Sequence, residues 1–180
     1  MKTLRFYIII ILLVSFTYAS AQLVTTASVK WLTIEEALKK QEKEPRKIFI
    51  DVYTDWCGWC KKMETTTFSH PIIAKYLNDK YYAVKFNAEY KDSIVFQGKT
   101  FINQNPQGAR NAHDLAVALL QGKMGYPSVV FIDEKSNVIT SVSGYQQPQG
   151  LEPILSFFLL DAHLTTSWED FQKTFTSEIK

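Results

Sequence analysis

Cys57-Gly58-Trp59-Cys60 is the stretch on which the reading of this chain turns. It holds both cysteines of the 180 residues, with two residues between them. Before it runs Lys47-Ile-Phe-Ile-Asp-Val-Tyr53, an apolar segment of the kind found in a strand buried on both faces. After it comes Lys61-Lys-Met-Glu-Thr-Thr-Thr-Phe68, which is compatible with a helix. A strand that delivers a CxxC to a helix start is an arrangement for thiol–disulfide chemistry. A sulfur placed there faces unpaired backbone N–H groups and the positive end of the helix dipole, which favours the thiolate.

Three other uses of the pair stand beside that one. A purely structural crosslink gains little, because closing so short a loop is worth only about 2 kcal/mol in the chain-entropy treatment. A zinc site needs about four ligands, and the CxxC supplies two of them. The remaining soft ligands, His70, His113 and His163, show no local ligand spacing. An inert pair of thiols is the third alternative. Redox chemistry is the reading favoured here, with no metal and no cofactor beyond the Cys57–Cys60 pair itself.

The N-terminus bears on the compartment. Lys2 and Arg5 precede the apolar block Phe6–Val14, and small residues end at Ala19-Ser-Ala21. A positive start, a short apolar core and an A-x-A-like site are the parts of a secretory signal peptide, here residues 1–21. The alternative is an uncleaved anchor, for which the block is short. Export leads to a periplasmic or otherwise extracytoplasmic protein, soluble after cleavage, in a compartment where disulfides persist. With both cysteines committed to one motif, the chain is expected to act on the disulfides of other exported proteins. Removing Lys2 and Arg5 leaves eighteen bases against eighteen acids. That balance offers no argument for nucleic acid or an anionic membrane surface. A monomer is expected.

Along the chain, residues 22–32 read as a flexible lead-in. Thr33 and Glu36 form a capping-box pattern ahead of a helix from Ile34 to about Lys43. A strand over 47–53, helices over 57–67 and 72–77, and a strand over 82–86 give the order of a βαβ unit. A helix over 109–120, ended by Gly122, falls in an irregular stretch. Strands over 128–132 and 138–142 form a hairpin, and helices follow over 151–162 and 168–175.

Asp51-Val-Tyr-Thr-Asp-Trp-Cys-Gly-Trp-Cys60 resembles the active-site segment of the thioredoxin superfamily. The continuation through Phe68-Ser-His-Pro71 is similar to the subgroup that includes the C-terminal periplasmic domain of the thiol:disulfide interchange protein, with an acid and a Phe-Ser-x-Pro-like turn after the CxxC helix. The resemblance spans roughly 47–158 and is weak between Glu89 and Met124. It implies an α/β thioredoxin fold over 33–165: a central mixed sheet of four or five strands flanked by helices, with a helical insertion over about 88–123 before a cis-proline loop. Residues 166–180 form a helical extension. Trp59 stands where the minimal fold usually has proline.

The resemblance also implies roles. Cys57 is the solvent-facing attacking thiol and Cys60 the resolving one. Asp51 is a buried acid beneath Cys60, and Lys85 is its partner. Gly125-Tyr126-Pro127 is the cis-proline loop. Trp56, Gly58, Trp59, Tyr126 and Pro127 meet the substrate, the Tyr126 backbone by strand addition. The bland alternatives are a solvated strand-end Asp51, an exposed Lys85, Trp56 as packing and a trans Pro127. Reductase, oxidase and isomerase share this machinery; a reductive role is favoured, with a membrane-bound electron donor as partner. A noncovalent client-binding module is the reading from another class.

Overall fold

The computed structural model describes residues 28–180; the segment read as a signal peptide lies outside them. In chain order come α1 (Ile34–Gln41), β1 (Ile48–Tyr53), α2 (Gly58–Met63), a π-helical turn (Glu64–Phe68), α3 (Pro71–Lys80), β2 (Tyr82–Asn87), β3 (Ile94–Phe96), β4 (Lys99–Phe101), α4 (Asp114–Leu119), β5 (Ser128–Ile132), β6 (Val138–Ser143), α5 (Pro148–Leu159), a 3₁₀ turn (Ala162–Leu164) and α6 (Trp168–Thr174). Four strands make a mixed sheet in the order β2-β1-β5-β6. β1 runs parallel to β2 and antiparallel to β5, and β5 and β6 are antiparallel. The expected α/β architecture is therefore present, with four strands at its centre.

Because side chains alternate along a strand, β1 sorts its residues to two faces. Ile48, Ile50 and Val52 pack in one core with Ile34 and Ala37 of α1 and Leu115, Ala116 and Leu119 of α4. Phe49 packs in the other with Met63, Phe68, Ile73, Leu77, Phe131, Leu155 and Phe158. Asp51 has the parity of Phe49, so it lies on the face covered by α2, the helix that carries the CxxC. Thr33 caps α1 as its sequence pattern requires: its hydroxyl accepts from Glu36 N–H (3.2 Å), and its own N–H donates to the Glu36 carboxylate (2.9 Å).

Two segments differ from the sequence-based expectation. Residues 28–32, read as part of a flexible lead-in, are fastened to the sheet. Leu32 bridges Val84 beside β2, Val29 is buried, and the Trp31 ring meets Phe68 edge-on at 5.0 Å. Three apolar residues, Val29, Trp31 and Leu32, are enough to hold so short a segment, and the small and polar residues that precede them masked that signal. The insertion is more than helical. It contains the β3–β4 hairpin, and its helix spans only Asp114–Leu119. Arg110 takes a left-handed φ of 57°, which interrupts any helix from 109. His113 then starts the helix by accepting from Leu115 N–H through Nδ1 (3.1 Å).

At the far end of β1, Lys47 is 1% exposed and bonds Glu134 (2.9 Å) and Asp161 (2.7 Å). Burial alone would lower its pKa; the two carboxylates raise it on balance. Both partners are partly exposed, so losing the lysine returns them to water rather than stranding them. Lys47→Met, which keeps most of the stem, is expected to cost roughly 1–3 kcal/mol in urea unfolding. A stability unchanged within about 0.3 kcal/mol would show that the ion pairs contribute nothing net.

Candidate active site

The end of β1 feeds a turn in which Cys57 N–H donates to the Thr54 carbonyl (3.2 Å), and α2 begins at once. Cys57 is its N-cap: the backbone is extended there, and the sulfur accepts from Cys60 N–H at 3.0 Å. Cys57 and Cys60 are joined as a disulfide across this first turn, with Cα atoms 5.3 Å apart. Such a pair passes between disulfide and dithiol by taking up two electrons and two protons.

The expectation that Cys57 faces solvent is corrected. Cys57 is 5% exposed and Cys60 6%, so the closed pair does not present one sulfur and hide the other. In the closed ring the Cys57 sulfur lies against the Cys60 amide, from which it accepts. Gly58, which follows Cys57, is exposed, and an added Cβ there would meet nothing within 4 Å.

Behind Cys60 lies a cavity of about 240 Å³ whose walls include Asp51, Thr54, Glu64, Thr65 and Lys85. Asp51 is 3% exposed, and its Oδ1 has no hydrogen-bond partner among the described residues. Burial pushes its carboxyl up to about 7; the Lys85 ammonium opposes that rise and Glu64 adds to it. A second correction concerns Lys85. It is the register partner of Asp51 across β1 and β2, yet its ammonium pairs with Glu64 and lies over the rings of Tyr53 (5.1 Å) and Trp31 (5.5 Å). The reason is solvation: Glu64 sits nearer water than Asp51, so an ion pair there costs less desolvation. Lys85 therefore acts on Asp51 through its field rather than by a direct bond.

The tryptophans flanking Cys57 are the exposed part of the site. Trp56 is 49% exposed and Trp59 57%. Trp56 Nε1–H donates to the Glu89 carboxylate (2.9 Å), its ring meets Tyr126 edge-on at 5.9 Å, and Arg110 lies over it at 5.0 Å. Trp59 packs on Tyr145 at 5.4 Å, with the Lys62 ammonium 4.8 Å from its ring. Tyr145 is placed by the π-helical turn: Thr66 and Tyr145 share a hydroxyl hydrogen bond (2.9 Å), and the Thr67 hydroxyl donates to the Gln146 carbonyl (2.6 Å). The Tyr126–Pro127 peptide bond is cis. The Pro127 carbonyl accepts from Gly144 N–H (2.8 Å), and Ser128 Oγ donates to the Gly125 carbonyl (2.7 Å).

Sequence reasoning missed Glu64, Glu89, Arg110 and Tyr145. Glu64 had a usable signal, since it lies four residues beyond Cys60 and so on the same helix face. The other three reach the site through tertiary contacts alone.

Residues 34–159 match the family described as a thioredoxin-like domain, and the chain belongs to that family. Its fold and its Cys57–Cys60 disulfide are of the thiol–disulfide oxidoreductase type. The chain is 29% identical over 141 residues to the thiol:disulfide interchange protein DsbD of Vibrio vulnificus (strain CMCP6), covering 73% of this chain and 20% of that protein. It is 26% identical over 125 residues to DsbD of Citrobacter koseri, covering 68% and 18%. The chain thus spans about a fifth of the length of these relatives. Among solved structures, the DsbH oxidoreductase aligns with a TM-score of 0.53 at 19% identity, over 80% of this chain and 92% of that one. A thioredoxin from Thermus thermophilus aligns with 0.56 at 15%, over 74% and 89%. Identities this low speak for the shared fold. Among the described residues, no helix is long and apolar enough to cross a membrane.

Proposed function

We propose that this chain reduces disulfides in exported proteins, outside the cytosol, through the Cys57–Cys60 dithiol. One observation carries the reading: a disulfide closed over a helix start and backed by Asp51, a buried carboxyl that holds a proton near neutral pH. The signal-like residues 1–21 and the match to proteins named for thiol:disulfide interchange support the compartment and the direction.

In the forward reaction the Cys57 thiolate attacks one sulfur of a client disulfide. A Cys57–client bond forms, the client bond breaks, and a client thiolate leaves. Cys60 gives its proton to ionised Asp51, and its sulfur attacks the Cys57 sulfur. The protein disulfide forms and the second client thiolate departs, so the client gains two electrons and this chain loses them. Burial sets the affinity of Asp51 for that proton, Lys85 lowers it and Glu64 raises it. Among the described residues neither the N–H nor the carbonyl of Tyr126 has a hydrogen-bond partner, so an extended client strand can pair there. Trp56, Gly58, Trp59, Tyr126 and Pro127 form the surface it meets. A membrane-bound donor restores the dithiol.

Direction is tested by equilibrating the protein with glutathione redox buffers. A reductive role calls for a potential of about −200 mV or lower, and a value near about −120 mV would place the chain among oxidases.

A further inference from the structure

Each tryptophan beside Cys57 has a cation over its ring, and neither cation is otherwise neutralised. Arg110 lies 5.0 Å from the centre of Trp56, and Lys62 lies 4.8 Å from Trp59 and 5.4 Å from Tyr145. Neither these two nor the adjacent Lys61 comes within 4.0 Å of a carboxylate among the described residues. All three are exposed. Of the nearby carboxylates, Glu64 is ion-paired with Lys85; Glu89 accepts from the neutral Trp56 indole and Asp55 from the neutral Asn87 amide (3.1 Å), so these two are fixed in place but keep their charge.

The mode of stacking matters. A cation–π contact does not use up the N–H donors of a guanidinium, and those of Arg110 meet no carboxylate within 4.0 Å among the described residues, so a carboxylate fork can take them. Arg110 is also held in place, since its loop is tied down by Asn103. That side chain donates to the carbonyls of Tyr90 and Asn111 (each 3.0 Å) and accepts from Asn111 Nδ2 (2.6 Å). The insertion thus delivers a positioned cation to the rim of the disulfide.

We propose that the clients accepted at this site are acidic around their cystine: an extended segment whose carboxylates meet Arg110 over Trp56 and Lys62 over Trp59 while its disulfide meets Cys57. The inference rests on the disulfide-exchange reading above and adds the chemistry of the partner. Charge complementarity identifies the occupant. Rings supply sequence-tolerant apolar contact, and the cations over them select by sign.

The test uses two cyclic disulfide peptides that differ only at two positions flanking the cysteines, glutamate in one and lysine in the other. Second-order rate constants for their reduction by the reduced protein are expected to favour the glutamate peptide about tenfold at low salt. The ratio falls toward one in about 0.5 M salt and in the K62Q/R110Q double variant. The K39Q/K40Q variant removes the same charge from α1, beside the Glu134–Ser136 turn at the opposite end of β5, and keeps the wild-type ratio. A ratio near one in the wild type, or one that K62Q/R110Q leaves unchanged, overturns the proposal. Serine versions of both peptides, followed by fluorescence anisotropy, read the preference without redox chemistry. If neither cyclic peptide is reduced, the exchange reading fails, and the anisotropy ratio still decides whether the surface selects acidic segments.

Discussion

Cys57→Ser is expected to lower client disulfide reduction by at least about 10³-fold, because the one thiol left, Cys60, has no second cysteine in the chain with which to complete the two-electron transfer. Cys60→Ser is expected to do something different. The first exchange proceeds, the second does not, and a Cys57–client mixed disulfide accumulates that is visible on non-reducing gels and released by dithiothreitol. Cys57 and Cys60 are nearly equally buried when joined, so the order of attack rests on what opens after reduction. Iodoacetamide should then modify Cys57 first, beside the exposed Gly58. If Cys60→Ser gives no trapped species and Cys57→Ser does, the two roles are reversed.

Asp51→Asn is expected to change both stability and rate. The folded carboxyl keeps its proton up to about 7 against a usual 3.8. Between those values the native state binds more protons than the unfolded one, so stability falls as pH rises. The effect is fully spared below about pH 4 and complete above about pH 7. A shift of that size corresponds to about 4 kcal/mol, accumulated at about 1.4 kcal/mol per pH unit. Asparagine does not titrate, and urea unfolding of the oxidised variant should lose that slope and leave the variant more stable than wild type at pH 8. A wild-type curve flat between pH 4.5 and 8 would exclude the raised carboxyl. In kinetics, losing the proton acceptor should slow resolution of the mixed disulfide by about 10- to 100-fold at pH 7. The deficit should shrink at higher pH, where hydroxide serves instead. A purely structural Asp51 would not produce that pH dependence.

The two substitutions probe parts of the site that were unequally legible. The CxxC, the strand before it and the hydrophobic alternation of the sheet are local patterns, and each depends on residues close in the chain. Asp51 stood out for the same reason, as a charge inside an apolar run. Lys85 was visible as a position, but its partner was not. Whether a lysine bonds Asp51 or Glu64 depends on the relative desolvation of two carboxylates that lie thirteen positions apart in sequence, and only the packed molecule sets that. The lead-in and the insertion were misread for a related reason. Val29, Trp31 and Leu32 form too short an apolar group to read as structure until β2 and α3 are beside them. The apparent helix over 109–120 is broken by a left-handed Arg110 whose conformation serves a contact with Trp56.

By itself, then, the amino-acid order determined that this chain builds a strand, a dithiol turn and a helix in succession, because short-range periodicity and helix-end chemistry need only near neighbours. The tertiary structure decided how wet each sulfur is, which acid holds Lys85, and which insertion residues reach the rim. Those outcomes depend on solvent exclusion and on charges brought together from distant segments, and such quantities exist only once the chain has folded.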